Sequence, residues 1–196
     1  MTTSLPHLTA IPYAVFANPA TSVLLPIALG TTIGFSTRPS QTQATYGLIK
    51  QPPLRPPPAV FGPVWTLLYG LMGYAAHRAI TALPPSHPLN PPNPLQLHIR
   101  GLYTLQLALN LLWMPLFFGA RRPRLALADV VALLGVNGYL TRVYFAVDRS
   151  GVAGWCQVPY LVWLGFATYL TAGVGYLNGW DISEASLARR GNKRKE

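Results

Sequence analysis

The sequence predicts an all-α membrane protein, a bundle of five transmembrane helices. Three observations predict it. Of 196 residues, 51% are hydrophobic and only 10% are charged, where soluble domains carry about 25% charge. The uncharged residues fall in long runs, one of 22 residues from Pro56 to His77, enough to cross a hydrocarbon core of roughly 30 Å. The fifteen basic residues gather in short connections and in the last eight positions, as they do around membrane spans.

The net charge of +10 therefore points to anionic lipid at the bilayer surface. Nucleic acid is excluded as a partner because no basic face interleaves with aromatics. The one cysteine, Cys156, lies in an apolar segment and packs there as a small hydrophobe. The opening MTTSLPHLTAIPYAVF has no basic residue, so it lacks the charged start of a secretory signal.

The first span is expected at about 13–37, closed by Arg38-Pro39. Pro26 falls inside it, where membrane helices tolerate proline. Gly30 and Gly34 form a GxxxG pair; small residues of this kind serve close packing inside one bundle, the favoured use, or a homodimer. A polar, proline-ending loop follows from Ser40 to Arg55.

The second span is expected at about 60–83, with Pro63 early enough to begin a helix without breaking one. Trp65, Tyr69, Met72 and Ala76 recur at four, three and four, and so share a face. The segment Pro84–Pro94 holds six prolines and reads as an exposed connection. His87 and His98 border it without a Cys, Asp or Glu nearby, a poor metal-ligand set.

The third span, about 101–120, lies between Arg100 and Arg121. Tyr103, Gln106, Asn110, Trp113 and Phe117 share one face, and polar residues inside a membrane need partners. That face looks into the bundle, either for hydrogen bonding between helices or as the wall of a cavity. The fourth span, about 125–147, carries Asp129 near its start, where an ion pair with a loop arginine is expected. The fifth, about 152–178, places Tyr160, Trp163, Ala167, Leu170 and Val174 on one face. Residues 1–180 thus form the membrane domain, and 181–196 a basic tail.

The segments VFGPVWTLLYGLMGYA, GLYTLQLALNLLWMPLFFGAR and PYLVWLGFATYL resemble, in order and spacing, the translocator protein or tryptophan-rich sensory protein family (TspO/MBR). The similarity runs from about Phe16 to Trp180. It implies a five-helix bundle that binds porphyrins, sterols and aromatic ligands in a pocket beneath the first loop. Carried over by motif, the pocket residues are Phe61, Val64 and Trp65, then Asn110 and Trp113, Ala128 and Asp129, and Trp163, Ala167 and Leu170. A tetrapyrrole such as protoporphyrin or haem is the implied ligand, and no cofactor is required.

Flat indole and phenyl faces suit a planar ligand, and Asn110 suits a polar substituent. The resemblance also implies the outer mitochondrial membrane; the endoplasmic reticulum is the alternative, since no targeting motif decides between them.

The chain departs from the family pattern at Leu54 and Leu125, where the family carries Trp, and at Thr171, where it carries Asn. The sterol motif of the last helix is absent after Tyr176. In the resemblance the first loop closes the pocket mouth with its Trp, so Leu54 is expected to grip less well. Restoring Trp there should slow release more than it speeds capture.

A receptor or carrier for lipophilic molecules is the leading function. The alternatives are a porphyrin-degrading enzyme, with Trp65 and Trp163 as candidates, and a scaffold acting through the tail. No nucleophile paired with a base stands in the sequence to support ordinary hydrolytic or acid–base chemistry.

Five spans put the termini on opposite faces of the bilayer. Arg38, Lys50, Arg55, Arg121, Arg122, Arg124 and five tail residues place 11 basic residues on one side, against Arg78, Arg100, Arg142 and Arg149 on the other. The positive-inside rule assigns the first side, with the C-terminus, to the cytosol. Protease protection of terminal tags in sealed membranes checks this. The expected outcome is a cytosolic C-terminal tag and a protected N-terminal one; both tags on one side would rule out five spans.

Overall fold

In a computed structural model the chain is described over residues 10–36, 45–84, 93–183, 185–186 and 189. It is helical, and no strand occurs among the described residues. A short α1 (Tyr13–Ala17) leads into α2 (Pro19–Ser36), and α3 runs Pro58–Thr81. Helix α4 (Pro94–Met114) continues through a π-helical turn, Pro115–Gly119, before α5 (Pro123–Val147) and α6 (Val152–Leu177). Helices α2, α3, α4 with its π-turn, α5 and α6 are each long and apolar enough to span a membrane.

Prolines set most of the helix starts. Pro19, Pro58, Pro94 and Pro123 each open a helix, where the missing N–H is an unpaired donor in any case. This corrects two expectations. Pro58, not Pro63, begins α3, and Pro63 lies inside it. The stretch 13–37 is two helices rather than one. Asn18, preceding Pro19, is extended at φ −109° and ψ 125°, because the proline ring disfavours a helical residue before it. Its Oδ1 accepts from the Ala20 N–H at 2.8 Å.

The third span also starts earlier than its charge-free run. Asn93 caps α4, its Oδ1 accepting from Leu95 N at 2.9 Å, a strong start signal. His98 and Arg100 thus ride on the helix. The first part of the Ser40–Arg55 loop, most of the Pro84–Pro94 connection, the N-terminus with His7, and the tail basic residues other than Arg189 lie outside the described residues.

Helix α2 packs chiefly on α3, α3 on α6, α6 on α5 and α5 on α4, which returns to touch α2. The ring is filled at one end only. Phe16, Met72, Ala75, Ala76, Ala79, Ile80, Ile99, Tyr103, Leu140, Tyr144, Ala153 and Tyr160 are buried together, drawn from α1, the second halves of α3 and α5 and the first halves of α4 and α6. Cys156 packs against them.

That end is also tied by hydrogen bonds. Arg100 Nε donates to Ile11 O at 2.9 Å, and Ile11 N to Thr104 Oγ1 at 2.9 Å. His77 Nδ1 lies 2.6 Å from Phe16 O. Inside it, Gln157 Nε2 donates to Asn137 Oδ1 at 2.7 Å.

Asp148, just past α5, makes the ion pair. Its carboxylate stands 3.6 Å from Arg78 Nη2 and accepts from Ser150 Oγ and Ala153 N. Burial alone would raise its pKa; the hydrogen bonds and Arg78 outweigh that and hold it below the ordinary value.

Close approach of α2 and α3 depends on small residues. Ser22 Oγ donates to Gly73 O at 2.7 Å, and a Cβ on Gly73 would run into the Ser22 backbone. Gly30 lies against the Tyr69 ring in the same way, so this half of the GxxxG pair packs within the chain. Gly73→Ala is expected to destabilise the bundle by at least about 1–3 kcal/mol through overpacking. Gly70→Ala, whose Cβ would meet nothing within 4 Å, should be near neutral. Thermal unfolding of both variants in one detergent checks the contrast.

Candidate functional site

The other end of the ring is hollow. A cavity of about 590 Å³ lies between the second half of α2, the first half of α3, the last turns of α4 with its π-turn, and the second half of α6. Its described walls contain no Asp, Glu, Lys or Arg. Nine aromatic side chains line it: Phe35, Tyr46, Phe61, Trp65, Tyr69, Trp113, Phe117, Phe118 and Trp163.

These rings prop one another. Trp65 stands edge-on to Trp163, centroids 6.3 Å apart, and leans on Tyr69 at 5.3 Å. Phe61 meets Trp163 at 6.0 Å. Trp113 stacks on Phe117 at 4.9 Å and 14°. Edge and offset contacts of this kind are worth about 0.5–1.5 kcal/mol beyond burial.

The π-turn widens the aromatic wall. It is closed by Ala120 N donating to Pro115 O at 2.7 Å and by Arg122 N donating to Leu116 O at 3.0 Å, with Arg121 left-handed at φ 53°. A regular helix repeats a face at three and four residues. With the wider turn, Trp113, Met114, Phe117 and Phe118 all reach the cavity.

One amide forms the floor. Asn110 Oδ1 accepts from Tyr69 OH at 2.7 Å, and Asn110 Nδ2 donates to Tyr160 OH at 2.7 Å. Both uses expected of the polar face on α4 are thus present, at different levels. Asn110, Trp113 and Phe117 line the cavity, whereas Tyr103 and Gln106 are buried beneath it. Gln106 Nε2 points to Met72 Sδ at 2.9 Å.

Of the residues expected at the site, Phe61, Trp65, Asn110, Trp113, Trp163, Ala167 and Leu170 stand on the cavity wall. Val64, Ala128 and Asp129 do not. Val64 packs against the core. Ala128 faces out of the bundle, because the inward face of α5 at this level belongs to Val130 and Leu133, which line the cavity. Asp129 is buried at 7% exposure without an ion pair or a hydrogen-bond partner for either oxygen among the described residues. The expected pairing with a loop arginine is therefore replaced by the Arg78–Asp148 pair at the opposite end.

The first loop covers the cavity, but not with Leu54. Tyr46, Ile49 and Gln51 line the cavity. Tyr46 OH donates to Pro56 O at 3.1 Å, and Gln51 Nε2 to Tyr46 O at 3.2 Å. Burial raises the Tyr46 pKa against the lowering effect of Arg55, whose guanidinium lies 5.9 Å from the ring. Leu54 is left-handed at φ 65° and 82% exposed. Its side chain is not part of the cavity wall. Leu125 is also exposed, whereas Thr171 lines the cavity.

The contribution of α2 and of Tyr46, Ile49, Gln51 and Phe118 escaped the sequence reading. Periodicity marks faces of regular helices; it says nothing of loop residues or of a π-turn. For α2, only the Gly30–Gly34 spacing gave a hint.

The fold and the hollow end define a class: a five-span membrane protein with an aromatic-walled cavity, uncharged over its described walls, under a loop. Comparison with known sequences gives the family. The TspO/MBR family profile matches residues 22–177, and the chain belongs to that family. It is 43% identical over 160 residues to a translocator protein homolog of Schizosaccharomyces pombe, covering 79% of this chain and 88% of that one. It is 36% identical over 163 residues to the translocator protein of Homo sapiens (83% and 92%). With the tryptophan-rich protein TspO of Archaeoglobus fulgidus it shares 33% over 159 residues (80% and 94%).

Asn110→Ala would leave the Tyr69 and Tyr160 hydroxyls without their amide. The expected cost is about 1–3 kcal/mol, the penalty of stranding buried polar groups. Tyr69→Phe removes one bond only and should cost less. Thermal unfolding of the two variants checks the order.

Proposed function

We propose that the chain binds a flat, lipophilic molecule, a tetrapyrrole such as protoporphyrin or a sterol, in the hollow end of the bundle. The observation that carries this reading is the cavity wall itself: nine aromatic rings and, among the described residues, no charged side chain around about 590 Å³. Pockets for drug-sized ligands span about 300–1,000 Å³ and combine apolar walls with a few polar groups. Here the polar groups include Asn110, Gln51, Thr31, Thr66, Thr171 and the Tyr hydroxyls. The names of the relatives, translocator protein and translocator protein homolog, fit a receptor or carrier role.

Binding is read by titrating protoporphyrin into the protein in nanodiscs and following Trp fluorescence and porphyrin absorbance. Trp163→Ala removes a ring that touches Phe61, Trp65 and Phe166 and should weaken affinity several-fold, the scale of a lost stacking contact. Trp155→Ala, at a ring 68% exposed and outside the cavity, should leave affinity unchanged. Equal effects from both would remove the case for this wall.

A further inference from the structure

The residues that follow α6 hold the first loop in place. Helix α6 ends in a Schellman-type reversal, with Gly179 at φ 63° and Trp180 at φ 61°. Trp180 N donates to Gly175 O at 2.7 Å, and Gly179 N to Tyr176 O at 3.2 Å. This turns the chain back over the hollow end of the bundle, where Ile182 is fully buried in one cluster with Ile49 of the loop, Phe117, Ala126 and Val174.

Beside it, Asn178 brackets the loop backbone. Lys50 N donates to Asn178 Oδ1 at 3.0 Å, and Asn178 Nδ2 donates to Lys50 O at 2.8 Å, a side-chain copy of a strand pair. Two lesser contacts extend the seam. Tyr169 OH donates to Pro53 O at 3.1 Å, and Gly173 gives room to Pro52, since a Cβ there would stand 2.7 Å from Pro52 Cβ.

From this geometry we infer that residues 178–182 form a strap, with Asn178 and Ile182 as its positioning residues, that keeps the first loop closed over the cavity. The strap touches Lys50 and Ile49, and the loop residues it fixes, Ile49 and Gln51, form part of the cavity wall. Loosening the strap at Asn178 therefore opens the wall without touching Trp65 or Trp163 deeper in the bundle, whereas Ile182 also packs in the cluster that holds Phe117. The inference rests on the ligand-binding reading only where release of a ligand is measured.

The first readout needs no ligand. Lys50 has an exposed side chain but a backbone held by Asn178, and proteolysis requires local opening. In nanodiscs, trypsin should cut the Lys50–Gln51 bond several-fold to about ten-fold faster in Asn178→Ala and in Ile182→Ala, the scale of a lost hydrogen-bond pair or core contact. Asn178→Asp keeps the acceptor for Lys50 N–H and should fall between. Tyr176→Ala, at a side chain 78% exposed on the same helix end, should match the native protein and so separates strap loss from a general weakening of α6.

The second readout is stopped-flow release of protoporphyrin, which should quicken in the two alanine variants with capture little changed. Unchanged cleavage in both alanine variants would overturn the strap. Faster cleavage with unchanged release would overturn its closure of the cavity. A native protein that takes up no protoporphyrin would overturn the ligand reading and leave cleavage alone to decide the strap.

Discussion

The structure turns on one buried amide. Asn110 sits where the packed half of the bundle meets the hollow half, and it ties α4 to α3 through Tyr69 and to α6 through Tyr160. In hydrocarbon an amide without partners costs several kcal/mol, so the two tyrosines fix its orientation as much as it fixes theirs. Pairs of this kind average only about 0.6 kcal/mol each in membrane bundles. Their value here is geometric. Three helices are held at one level, and the rings above that level, Trp65 and Trp163, inherit fixed positions from the helices that carry them.

What was legible in the sequence follows from what a bilayer punishes. Charge in hydrocarbon is costly, so the uncharged runs marked the spans, with α6 found within a residue of its observed end at Leu177. Regular faces were legible for the same reason. Trp65 and Tyr69 on α3, Asn110 and Trp113 on α4, and Trp163, Ala167 and Leu170 on α6 repeat at helical spacing and meet at the cavity. Charge was a poorer guide to helix ends. Helix α4 begins at Pro94, well before Arg100, because a helix does not stop where the hydrocarbon stops.

The misses have physical causes too. A proline early in a span reads as a helix start whether it is Pro58 or Pro63, and only the N-cap at Pro57, with φ −59° and ψ 145°, tells them apart. Asp129 looked like one half of an ion pair because loop arginines are its neighbours in sequence. Arg78 and Asp148 lie far apart in sequence, yet the ends of α3 and α5 bring them together. The loop could not be read from periodicity at all. Leu54 seemed to be its working residue, but a left-handed backbone turns that side chain outward, and the wall is made by neighbours that no spacing rule selects.

A hollow half raises the question of what holds it open. Interiors normally close around voids, since each missing contact forfeits dispersion energy. Here the walls brace themselves. Phe61, Trp163 and Trp65 lean edge to face in sequence, and Trp113, Phe117 and Phe118 form a second group on the π-turn. Rings supported in this way cannot swing inward without losing partners. The backbone around them is stiffened by Pro58 and Pro63 in α3 and by Pro115 in the π-turn. The loop above touches the rings through Tyr46 on Phe61 and Ile49 beside Phe117, but its backbone is pinned to the end of α6. Rigid side walls and a separately fastened cover divide the work: the walls set which shapes fit, and the fastening sets how readily the top opens.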